Sequence, residues 1–150
     1  MTSTPIKQIE INPVHTAVVD AACLAMAIDG EVTQVEVDHI SHYISTLLEV
    51  QMDVVALLIE NSLKRIQDTD VEEFLFDLGE RVNTLEDREQ TLIAVLMAGF
   101  SDGVITVEEE GLFFELADIF GLDEPALEQL ILQAEHFYNQ FVEVLYNPPN

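Results

Sequence analysis

A chain of 150 residues is long enough to bury one core, covering roughly 70% of the surface its unfolded form exposes, so neither disulfides nor a metal is needed for folding. Hydrophobic residues make up 49% of it, which excludes a disordered acidic tail even though 29 Asp and Glu against 5 Lys and Arg give a formal net charge of −24. That charge argues against nucleic acid and anionic membrane, because the cations that release phosphate counterions are missing; it favours divalent cations and basic protein surfaces, and it puts most acids on the surface.

Residues 1–12 read as an amino-terminal tail, and 13–147 as one all-helical domain. Asn12 is placed to cap a first helix that has Pro13 in its first turn, with Val14, Val18, Ala21, Ala25 and Ile28 at helical spacing and Gly30 as its left-handed stop. A second helix begins at Thr33 and carries Val37, Ile40, Ile44, Leu47 and Leu48. A third spans about Asp53 to Gln67, with Val54, Leu57, Leu58 and Leu63 inward. Thr69 with Glu72 predicts a capping box for a fourth helix through Phe74, Leu75, Leu78 and Val82, in which Gly79 is the weak point.

Thr84 begins a fifth helix through Leu92, Val95, Leu96 and Met97 to about Ser101. Thr106 begins a sixth, which uses Leu112, Phe113, Leu116 and Ile119 and stops at Gly121. Asp123 caps the last, with Pro125 in its first turn and a stripe of Leu127, Leu130, Ile131, Ala134, Phe137, Phe141 and Leu145, before Pro148 and Pro149 end it. No segment alternates apolar and polar residues long enough to require a strand. The expected fold is all-α, a single compact domain of about seven helices.

Two of these helix pairs are joined by the same words. AIDGEVTQVE (Ala27 to Glu36) and FSDGVITVEE (Phe100 to Glu109) both read Asp-Gly-x-(Val/Ile)-Thr-x-x-Glu, 73 residues apart from Asp29 to Asp102. Every position has a folding role: Gly30 and Gly103 allow a positive φ, Thr33 and Thr106 cap the next helix, and Glu36 and Glu109 complete capping boxes. The chain therefore reads as two related helix-turn-helix halves, whose pairs pack on one another to bury faces that neither buries alone.

The same string matches the second half of a calcium-binding EF-hand loop, but the positions that should supply the first acids are Ala25 and Ala27 in one copy and Ala98 and Phe100 in the other. One half-motif offers two carboxylates, whereas hard cations take about six to eight oxygens. A cation site thus requires both copies to converge, or water to fill the shell.

Beyond the motif, Thr91 to Asp123 (TLIAVLMAGFSDGVITVEEEGLFFELADIFGLD) resembles the signature half of the tellurite-resistance TerB family, and Ala22 to Ile44 (ACLAMAIDGEVTQVEVDHISHYI) is similar to that family's first half. The two blocks agree in order and spacing and cover about half the chain; Val50 to Leu85 matches only as helices. The resemblance implies a compact fold of roughly seven helices, no catalytic reaction, association with tellurite and chemical-stress resistance, and metal binding by paired acids. By position those acids are Asp29, Glu36, Asp102 and Glu109, and their hard oxygens favour calcium or magnesium.

Other constellations are thinner. Glu36-x-x-His39 has the spacing of di-iron bundles, yet Leu112 stands where the second copy needs a His, so His39 and His42 are expected at the surface. Met26, Met52 and Met97, with Phe74, Phe76, Phe113, Phe114 and Phe120, read as core, as does Cys23, the single cysteine. No phosphate loop, nucleophile elbow or Cys/His zinc pattern is present, so no enzyme and no organic cofactor is expected. With no basic, apolar leader at its amino terminus the chain reads as soluble and cytoplasmic. The alternative to a cation-binding stress protein is an acidic interaction module that docks a basic protein surface without a metal.

Overall fold

A computed structural model describes residues 13–28, 30, 32–100 and 105–146. The described residues form seven helices: α1 (Pro13–Ala27), α2 (Gln34–Leu48), α3 (Met52–Asp68), α4 (Val71–Arg81), α5 (Leu85–Phe100), α6 (Val107–Phe120) and α7 (Glu124–Tyr146). Among the described residues there is no strand, as the apolar periodicity predicts. The amino-terminal tail, the cap at Asn12, the stop at Pro148 and Pro149, and the side chains of Val14, Phe141 and Leu145 lie outside what is described.

The helix at the centre is α1. Every residue from Ala17 to Met26 is buried, so α1 is enclosed all round rather than amphipathic, and its small residues allow close approach on several sides. Its largest interface is with α5, and α3, α4 and α2 also pack on it. The buried side chains join into one continuous core that includes Cys23, Met26, Tyr43, Met97 and Phe113. Burial, and then the Asp20 charge, push the Cys23 thiol far above its ordinary pKa, which leaves it unreactive.

Duplication is visible in packing as well as in sequence. Positions 36, 39, 40, 43 and 44 on α2 are buried, and so are their counterparts 109, 112, 113, 116 and 117 on α6. α1 contacts α6 and α2 contacts α5, the reciprocal pattern that two exchanged halves produce.

Three expectations need correction. On α3 the buried residues are Val55, Leu58, Ile59 and Ser62, and Val54 and Leu63 pack against the core as expected, but Leu57 is 52% exposed; Ser62 and Arg65 reach Asp20 on α1. The Thr69–Glu72 capping box does not form. Thr69 is instead the extended residue that ends α3, and Asp70 takes the N-cap of α4 without a side-chain hydrogen bond. Met52, Phe76 and Phe114 are exposed rather than core, and Ile119 is 39% exposed although its Cγ2 lies against Gly79 of α4.

An acid that composition assigns to the surface is also in the core. Asp20 is fully buried and accepts hydrogen bonds from Ser62, from Arg65 in a two-pronged contact (2.5 and 3.1 Å) and from Arg81 (2.6 Å). Arg81 Nε also lies 2.8 Å from Asp77 Oδ2, a charge contact without hydrogen-bond alignment. One carboxylate thereby ties α1 to α3 and α4. A single acid within an apolar run from Ala17 to Met26 was the available signal, since an unpaired charge does not persist there.

Candidate functional site

Both repeated motifs end in capping boxes with the same geometry. Thr33 is extended (φ −96°, ψ 158°); its Oγ1 accepts from the Glu36 amide at 3.2 Å, and Glu36 Oε1 accepts from the Thr33 amide at 2.9 Å. Thr106 repeats this with Glu109 at 3.1 and 2.8 Å. Each pairing satisfies amide donors that the first turn of a helix leaves without partners.

Unlike most capping glutamates, these two are buried, with Glu36 5% and Glu109 2% exposed. Gly99 of α5 lies beside Glu109. A Cβ at that position would lie 3.3 Å from Ile105 Cγ1 and 3.7 Å from Glu109 Oε2, so the missing side chain lets the start of α6 settle onto α5. Asp29 and Asp102 lie outside the described residues, and among the described residues no trio of His, Cys, Asp and Glu is arranged to hold a metal. The two described acids have the hard oxygen donors that calcium or magnesium prefers, each with one oxygen engaged at the cap.

α7 connects the neighbourhoods of the two motifs. The Tyr138 ring lies 5.6 Å from the His39 ring, one turn beyond Glu36, and 5.3 Å from Phe100, the last residue of α5. Beside it, Phe137 meets Tyr43 edge-on at 5.5 Å.

His39 is therefore a core residue, where a surface one was expected; His42 is exposed. Its counterpart Leu112 is buried in the same place, which makes the position a packing site in both halves and explains the broken di-iron spacing. Burial, and then the nearby His42, lower the His39 pKa, so folding favours its neutral form. The unfolded chain binds this proton more readily, so stability is complete above an unfolded pKa of about 6.5 and falls as pH drops below it. Urea denaturation of the native chain and of His39→Leu between pH 7.5 and 5 should show a loss in the native chain that the variant lacks; parallel profiles would remove the assignment.

Next to the second motif a cavity of about 320 Å³ opens between α6 and α7 over α5. Val95, Leu96 and Phe113 contribute apolar surface, and Glu109, Glu110 and Glu135 are its acids. Sequence periodicity marks the helices that form it but not the gap between them.

No curated protein and no solved structure matches the chain. The family described as tellurite resistance protein TerB matches residues 15–132, a span that runs from α1 into α7 and includes both Asp-Gly motifs. The chain belongs to the TerB family.

Proposed function

We propose that this TerB-family chain is a non-catalytic, chemical-stress module that binds a divalent cation, calcium or magnesium, at its duplicated Asp-Gly turns through Asp29, Glu36, Asp102 and Glu109. The observation that supports this reading most is the burial of both terminal glutamates. A capping box stabilises a helix by about 1 kcal/mol and does so at exposed termini, whereas removing a carboxylate from water costs several kcal/mol before compensation. Carboxylates fixed in a poorly solvated place attract a cation more strongly than the many mobile surface acids do. The chain's −24 charge concentrates cations around it and also favours basic protein surfaces as partners.

Calorimetric titration of metal-free protein with calcium, magnesium, manganese and zinc tests the reading. Binding tighter than about millimolar is expected for calcium or magnesium, since surface acids bind only weakly. Asp29→Asn and Asp102→Asn should each remove most of the affinity if the copies form one site. Glu36→Gln separates the roles, because Gln also completes a capping box: stability should stay within about 0.5 kcal/mol of the native chain while ion affinity falls. No ion binding tighter than about millimolar would end the cation reading.

A further inference from the structure

We infer that the groove between α6 and α7 docks a basic amphipathic helix of a partner protein, which inserts an apolar side chain between the walls and sets Lys or Arg against their acids. On each wall an acid and an apolar residue lie a single turn apart: Glu110 and Phe114 on α6, beside Glu109 and Phe113, and Ile131 and Glu135 on α7. Residues four apart share a helix face, so both walls present the same pair of chemistries to whatever lies between them. At about 320 Å³ the cavity is at the small end of the roughly 300–1,000 Å³ range of ligand sites, which suits side-chain anchors.

The internal repeat singles out the α6 wall. In the first half the positions equivalent to Glu110 and Phe114 are Val37, which is half-buried against the core, and Ser41, which is buried. There the following helix, α3, packs on α2, whereas α7 packs on α5 rather than on α6. The second half thus keeps open a face that the first half closes, and places a 47% exposed Phe and an exposed Glu on it. Aromatic anchors beside charge are typical of docking surfaces.

The chain's own described cations are used elsewhere, which points to an external basic group. Lys64 pairs with Glu60, Arg65 and Arg81 with Asp20, and Arg88 with the Val82 and Phe120 carbonyls. An anionic or purely apolar occupant would leave Glu110 and Glu135 uncompensated, so a basic helix fits best.

The full chain, in chelator so that cation binding plays no part, is titrated by fluorescence anisotropy with a labelled 15-residue helical peptide that has leucines on one face and lysines on the other. A scrambled peptide of the same composition serves for comparison. The one-sided peptide should bind at least tenfold tighter than the scrambled one. Glu110→Lys with Glu135→Lys should weaken it at least tenfold, and Phe114→Ala at least fivefold. Glu73→Lys with Glu80→Lys on α4, an equal change in net charge, should weaken it less than threefold. Circular dichroism verifies that each variant is folded. Absent binding, equal binding of the two peptides, or equal loss from both charge-reversed pairs would overturn the proposal, the last because it leaves only general charge attraction.

Discussion

Asp20→Ala should lower unfolding free energy by about 3 kcal/mol in urea denaturation, because it leaves Ser62, Arg65 and Arg81 arranged around a carboxylate that is gone. Breaking a buried ion pair costs about 3–5 kcal/mol, and the lower end applies because the Arg65 and Arg81 side chains are 44% and 22% exposed and regain some water. Asp77→Ala removes a 59% exposed partner of the same Arg81 and should cost no more than about 0.5 kcal/mol. Asp20→Asn keeps an acceptor for Ser62 and should fall between the two. If Asp20→Ala cost under about 1 kcal/mol, desolvation of the cluster would cancel its attraction, and the three-helix tie would contribute register rather than stability.

What the sequence disclosed divides along the range of the interactions. Capping boxes at Thr33–Glu36 and Thr106–Glu109 are legible because donor and acceptor lie three residues apart, and both form. The Thr69–Glu72 pair has the same spacing and fails, since the short connection between α3 and α4 commits Thr69 to ending α3. Asp20 is the opposite case: its partners are 42 to 61 residues away, and nothing near it announces them. On α3, likewise, Leu57 fits the apolar spacing but is exposed, while Ser62 is buried against Asp20, 42 residues away.

At the candidate site the repeat makes Glu36 and Glu109 readable as a pair, but not their burial. Burial is set by helix packing, which the motif does not encode: Gly99 of α5 lies close to the start of α6, and on α2 His39 and Tyr43 meet Tyr138 and Phe137 of α7. The groove is less legible still. Its walls come from α6 and α7, and only the way α7 packs on α5 separates them.

Gly79→Ala should destabilise the chain by about 1–2 kcal/mol, opposite in sign to the same change in an open helix, where Ala gains roughly 0.5–1 kcal/mol. A Cβ at Gly79 would lie 2.5 Å from Ile119 Cγ2, closer than packed atoms approach. That methyl is attached at the β-carbon and has little freedom, so α4 and α6 must separate or Ile119 must leave its rotamer. In an Ile119→Ala background the obstacle is removed, and Gly79→Ala should become neutral or stabilising. The difference between backgrounds measures a coupling of about 1–3 kcal/mol, read from denaturation of the four proteins of the cycle. Should Gly79→Ala stabilise the native background as well, Ile119, already 39% exposed, turns aside freely, and the glycine is no longer what fixes the approach of α4 to α6.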